Sequence, residues 1–387
     1  MPEAIELYLH IPFCLRKCNY CDFLSFPAAD QTQDKYTDAL CREIIEAGEF
    51  TGPYHIRSVF LGGGTPSILS IYNIERIMNS IRDSFPLDSQ TEISLEANPG
   101  TLSFEKLLAY RRAGINRLSI GLQAADDRCL RMLGRIHTWS ECKENYIQAR
   151  RAGFDNINID IMSALPGQSL ESYLHTLEEV TALEPEHISS YSLILEEGTP
   201  LYEDQRLLDL LPDEETDRKM YEMTGKVLEE RGYHRYEISN YAKSGRECIH
   251  NLGYWEDIPY LGLGLGASSY WKEKNSQRGE DRFLRFSNVR DLNRYLENPF
   301  LPFDKREEYI ELSRADRMAE FMFLGLRKMD GIDPEAFGRT FHCGLEEIYG
   351  EPIGKFLDLG LLSVEDGRLA LTRKGIDVSN QIFCEFI

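Results

Sequence analysis

Three cysteines crowd into eight residues. Cys14, Cys18 and Cys21 stand as C-x-x-x-C-x-x-C, with Leu15, Arg16, Lys17, Asn19 and Tyr20 between them. A loop of that length can wrap three thiolates around one inorganic cluster. Arg16 and Lys17 favour the thiolate form, which argues against three core thiols. Structural zinc normally takes four protein ligands, and no fourth Cys or His follows at finger spacing. A [4Fe-4S] cluster on three thiolates leaves one iron open, which is a position for a small molecule.

Further groups with chemistry to offer fall where strands are expected to end. Gly62-Gly63-Gly64-Thr65-Pro66 follows an apolar run; glycines there let backbone approach a ligand closely, although tight turns use such clusters too. Glu96, in Leu95-Glu96-Ala97-Asn98-Pro99, is a carboxylate able to bind an ammonium group or simply to be solvated. Gln123 and Asp160 close two later apolar runs, and Arg135 lies between them. Taken singly, each is an ordinary polar loop residue.

The elements that must position these groups alternate in type. Strands are expected over 6–11, 58–61, 91–96, 117–121, 156–160 and 187–193, each followed by a helical stretch. Ile71, Ile74, Ile77, Met78 and Ile81, for instance, recur at helical spacing after a Ser70 cap. Six strand–helix units predict an α/β fold with a parallel sheet: a partial (β/α)6 barrel, open because six units are too few to close an eight-stranded one. Residues 1–235 are read as this core. Residues 236–301, rich in Gly, Tyr, Trp and Asn, are read as an irregular connector. Residues 302–387 are read as a small helical, winged-helix-like domain whose hairpin turns at Asp366-Gly367.

Composition narrows the function. The 387 residues hold 43 Lys and Arg against 64 Asp and Glu, a formal net charge of -21, so binding nucleic acid through phosphate contacts is not expected. From residue 301 onward, 11 basic residues face 17 acidic ones, which argues against a DNA-reading wing. No apolar run approaches the roughly 18–20 residues of a membrane span. An odd count of nine cysteines, three of them clustered, fits a reducing cytoplasm with a metal site.

With these motifs assembled, the sequence resembles the radical S-adenosylmethionine (SAM) superfamily, whose signature is the Cys14/Cys18/Cys21 spacing. The resemblance implies that the open iron is chelated by the amino and carboxylate groups of SAM. It also implies that reduction of the cluster, by an electron donor, cleaves SAM to a 5′-deoxyadenosyl radical. By the same resemblance Gly63, Gly64, Thr65 and Glu96 contact SAM, and Tyr8, Tyr20, Gln123, Arg135 and Asp160 match SAM-binding positions of the coproporphyrinogen dehydrogenase relatives.

Within the superfamily the sequence is most similar to the heme-chaperone branch of the HemN-like proteins. Phe23 stands where the oxidase branch has a further cysteine, and His250-Asn251-Leu252-Gly253-Tyr254-Trp255 matches the H-N-x-x-Y-W motif of the chaperones. That implies binding of heme and its transfer to an acceptor protein. The alternatives are oxidative decarboxylation of coproporphyrinogen III, and methylation or ring-opening of heme. His250 is read either as an axial heme ligand or as a buried, hydrogen-bonded histidine. Arg278, Arg282 and Arg285 are candidates for pairing with heme propionates.

Overall fold

The computed structural model describes residues 4–51, 54–274 and 281–387. Six strands, β1 (Ala4–Ile11), β2 (His55–Gly63), β3 (Glu92–Ala97), β4 (Arg117–Gln123), β5 (Ile157–Ser163) and β6 (His187–Ser192), pair in chain order and all in parallel. Helices follow each of the first five strands, so the partial barrel expected from the alternation is present and open.

Side-chain alternation explains what the barrel holds. In β1 the odd positions Ile5, Leu7, Leu9 and Ile11 are fully buried in the apolar core, which includes Leu40 and Ile44 of the helix Asp30–Thr51. The even positions Glu6, Tyr8 and His10 face the interior. Register carries the same split across the sheet: Glu6 pairs with Ser58, and Ser58 with Glu92, while Glu96 pairs with Ser119 and Ser119 with Asn158. Closed barrels of this kind usually fill the interior with branched apolar residues. This one fills it with Glu, Ser, His, Arg, Asn and Asp, all of which need partners.

Two expectations are corrected. Asp160 does not end its strand but lies in the middle of β5, because the apolar alternation runs on through Ile161 and Met162. The stretch read as irregular is regular over much of its length. After β7 (His234–Arg235) and β8 (Asn240–Ala242), which extend the β6 edge, a helix runs from Ile249 to Trp255. Then β9 (Tyr260–Leu263) pairs in parallel with β1, and β10 (Ser268–Glu273), β11 (Arg282–Ser287) and β12 (Glu307–Glu311) add antiparallel strands beyond it. The run Leu261-Gly262-Leu263 is therefore sheet, and its glycine is needed there: a Cβ added at Gly262 would lie 2.1 Å from the Ser268 carbonyl oxygen.

The C-terminal part has its own apolar cluster, including Met322, Phe337, Phe341, Ile353, Leu369 and Ile382. Helices Arg314–Gly325, Pro334–Phe341 and Leu345–Asp358 surround a hairpin of β13 (Leu362–Glu365) and β14 (Arg368–Leu371). Asp366 and Gly367 both take positive φ, 51° and 77°, as the expected tight hairpin turn requires. No helix among the described residues is long and apolar enough to cross a membrane.

Candidate functional site

A cavity of about 470 Å³ opens at the C-terminal ends of the parallel strands. Cys14, Cys18 and Cys21 line it together with Tyr20, Gly63, Gly64, Thr65, Glu96, Gln123, Arg135 and Asp160. Of the residues expected to bind the cluster or SAM, only Tyr8 stays out. It sits one interior layer deeper, its hydroxyl 3.1 Å from His10 Nδ1.

The cysteine loop is fastened at both ends and in the middle. Cys14 N–H donates to the Phe26 carbonyl at 3.1 Å and Phe26 N–H to the Pro12 carbonyl at 2.9 Å. Asn19 donates from its backbone to Leu133 and from its side chain to Met132, each at 2.9 Å. His10 Nε2 bonds the Leu24 carbonyl at 2.8 Å. All three thiols are free and half-buried. Burial raises the pKa of Cys21. Among the described residues no three His, Cys, Asp or Glu side chains converge as a group able to hold a metal ion; the three sulfurs ring a cavity instead.

A hydrogen-bond circuit joins two of these sulfurs. Thr65 Oγ1 donates to Cys14 Sγ at 3.5 Å, and Asn98 Nδ2 donates to Thr65 Oγ1 at 2.8 Å. Arg135 donates to Asn98 Oδ1 at 2.7 Å and to Cys18 Sγ at 3.4 Å. Sequence reasoning does not single out Asn98, although its place two residues after Glu96, at the same-face spacing of a strand, is a signal. His10, the other omission, packs beneath Gly63.

The glycines make room. Gly63 has φ +105°, and a Cβ on it would lie 2.5 Å from the His10 ring; a Cβ on Gly64 would lie 2.6 Å from the Phe13 carbonyl oxygen. Gly63 N–H donates to Glu96 Oε2 at 3.1 Å. Burial, with Asp160 nearby adding repulsion, pushes the Glu96 carboxyl up to about 7. Asp160 is raised as well, chiefly by burial, and accepts from Asn158 at 2.7 Å and Ser119 at 3.3 Å. Gln123 reaches the cavity through a register shift in β4, at φ +77°. Arg135 is a buried guanidinium whose Nε has no partner.

These features fit the two cofactors that the sequence resemblance implies. Three thiols line one cavity with a guanidinium suited to a carboxylate and two carboxyl groups suited to an amino group.

His250 is placed elsewhere. It is 1% exposed, on the helix Ile249–Trp255 that plugs the opposite, N-terminal end of the barrel. Nδ1 lies 2.7 Å from Ser58 Oγ and Nε2 3.0 Å from Tyr254 Oη, and the ring stacks on Phe60. Burial, helped by Arg117, lowers its pKa to about 3. Neither ring nitrogen is open to an iron, so the buried-histidine reading describes this geometry. Arg282 pairs with Glu273 and Glu311, and Arg285 with Glu320. Arg278 lies outside the described residues.

Comparison with known proteins agrees with this geometry. Residues 8–180 match the radical SAM superfamily model and residues 312–378 the HemN C-terminal domain model. The chain is 36% identical to heme chaperone HemW of Lactococcus lactis, covering 98% of this chain and 96% of that one. Against heme chaperone HemW of Bacillus subtilis it is 35% identical, covering 98% of each. A solved structure of coproporphyrinogen III oxidase HemN from Escherichia coli, described as a radical SAM enzyme, superposes with a TM-score of 0.83 at 25% identity, over 100% of this chain and 90% of that one. With a cysteine-lined barrel mouth and full-length likeness to these relatives, the chain belongs to the HemW family of the radical SAM superfamily.

Proposed function

We propose that this protein is a cytoplasmic heme chaperone that holds a [4Fe-4S] cluster on Cys14, Cys18 and Cys21, holds SAM beside it, and passes bound heme to an acceptor protein. The observation that carries the reading is 35–36% identity, across 98% of the chain, to proteins named as heme chaperones. Phe23 supports it: the position of the extra cysteine of the oxidase branch is taken by a phenyl ring that lines the mouth and is 62% exposed.

When bound and reduced, the cluster supplies an electron to SAM. The residues of this chain do the rest by position. Gly63 and Gly64 would leave space for the methionine part of SAM, and Glu96 and Asp160 would accept hydrogen bonds from its amino group. The Arg135 guanidinium would pair with its carboxylate, and Tyr20 and Gln123 would line the same cavity. Thr65 and Arg135, tied through Asn98, hold hydrogen bonds on the Cys14 and Cys18 sulfurs.

A second reading, oxygen-independent decarboxylation of coproporphyrinogen III, draws on the structural likeness to HemN. One experiment separates the two. Anaerobically reconstituted protein is titrated with heme, and separately incubated with coproporphyrinogen III, SAM and a reductant. The chaperone reading expects a Soret-active heme complex and no decarboxylated product; product formation reverses the choice.

A further inference from the structure

A second cleft of about 470 Å³ lies far along the chain from the cysteine loop, where the barrel meets the C-terminal part. Its walls come from the helix Glu214–Glu230, from β7 and β8, from Met329, and from the helix Arg373–Asp377. The first cavity must already accommodate a cluster and SAM. We propose that this second cleft binds the propionate-bearing edge of heme, an inference that rests on the heme-chaperone reading.

The central observation is Arg235. Its guanidinium lies over the rings of Tyr221 and Tyr241, at 4.6 and 4.9 Å from their centroids. It donates from Nη1 to Tyr221 Oη at 3.1 Å, from Nε to Tyr241 Oη at 2.7 Å, and from Nη2 to Tyr241 Oη as well. Both acceptors are neutral phenols whose pKa values are raised, first of all by burial. A guanidinium cannot shed its proton in a protein, so its charge persists here. Glu237 acts on it from beyond pairing distance and is itself engaged by Ser239 N–H at 2.9 Å. Among the described residues no carboxylate forms an ion pair with Arg235. The same holds for Lys226 and Arg373 on the same walls.

The rest of the lining selects the kind of anion. Glu222, Glu229 and Asp377 share the cleft, and Asp377 is paired with Arg218 at 3.2 Å. The cleft is therefore not a basic field that would draw in polyphosphates or nucleic acid. It is a guanidinium beside the half-buried Tyr221 ring, with the Met329 thioether nearby and Tyr233 and Tyr241 packed into the core behind it. A flat apolar plate with carboxylates on one edge matches that combination: the plate meets the Tyr221 ring and the Met329 sulfur, and a carboxylate meets the guanidinium.

The test uses the reconstituted full-length protein, with heme and heme dimethyl ester as ligands followed in the Soret region. Arg373→Glu, at an exposed position, and Arg235→Leu are each expected to weaken heme binding by at least about tenfold, the loss of one charge-assisted pair. Cluster content and SAM affinity are expected to stay at wild-type values. The diester is expected to bind wild type about as weakly as heme binds Arg235→Leu. Wild-type heme affinity in Arg373→Glu together with undiminished diester binding overturns the cleft while leaving the chaperone reading in place. So does loss of heme from Phe23→Asp or Ile194→Asp, at the barrel mouth, with the cleft variants unaffected. No heme binding by wild type overturns the chaperone reading and this inference with it.

Discussion

The mouth and the floor of the barrel are built from the same inward-facing strand positions, yet they treat charge differently. At the floor, dry packing disfavours charge on His250 and Glu6, while the buried Arg117 beside them stays charged. His250 and Glu6 lie 3.6 Å apart and fully buried; burial holds the imidazole at about 3 and pushes the carboxyl well above its usual range, disfavouring the charged form of each. At the mouth, Glu96 is held near 7 and Arg135 keeps its charge with one nitrogen unused, both against a cavity large enough for a ligand. Burial alone therefore does not mark a functional group in this protein; a buried polar group with open volume beside it does.

The sharpest way to separate the two regions is to remove mouth ligands. Cys14→Ser, Cys18→Ser and Cys21→Ser are each expected to lose essentially all cluster iron after anaerobic reconstitution, with far-UV circular dichroism and thermal midpoint close to wild type. A cluster retained at full stoichiometry in any of the three would remove that cysteine from the site.

Next in size is the floor. His250→Ala leaves a cavity and strands the hydroxyls of Ser58 and Tyr254, at a cost of about 3–5 kcal/mol in urea unfolding. The folded fraction is expected to take up the cluster normally. If this variant unfolds like wild type but loses heme, the floor is not inert packing and the comparison fails.

The smallest effect is electrostatic. Without SAM, the raised pKa of Glu96 means that between about 4.5 and 7 the folded protein holds a proton that the unfolded chain has released. Its contribution to stability thus falls as pH rises through that window. Glu96→Gln is expected to unfold like wild type at pH 4.5 and to be more stable at pH 8, by no more than about 2 kcal/mol once screening by cavity water is allowed for. The same variant is expected to weaken SAM about tenfold, read by calorimetry. Equal stability differences at both pH values would show that Glu96 is ionised in the free protein.

The mouth is far more legible in the sequence than the floor. Cysteine spacing and glycines beside strand ends are local signals, and they point to most of the cavity wall. Gly63 and Gly64 are required by contacts with His10 and Phe13, nearby once β1 and β2 pair. His250 cannot be assigned the same way, because its surroundings, Ser58 and Glu6, come from strands about 190 and 240 residues earlier. The sheet extension over 260–311 escapes sequence reasoning for a related reason. Its strands are short, glycine- and aromatic-rich, and defined by pairing outward from β1 through β9 rather than by their own periodicity. Asn98 escapes it because its role exists only once Thr65 and Arg135 flank it.

β1 carries the cysteine loop and is clasped on one side by β2 and on the other by β9, so that Leu9 pairs with both Leu61 and Leu263. Order of synthesis and order of completion are therefore opposed. β1 leaves the ribosome well before β9, so its second edge waits for residues made about 250 positions later. Until then it presents an unpaired apolar edge, the kind of surface on which nascent chains associate with one another. Closing so distant a contact is slow, and the final parallel pairing with β9 is expected to be a late step in folding. A destabilising change in the Tyr260–Leu263 strand would accordingly be felt less as altered chemistry at the mouth than as a lower yield of chains that ever finish building it.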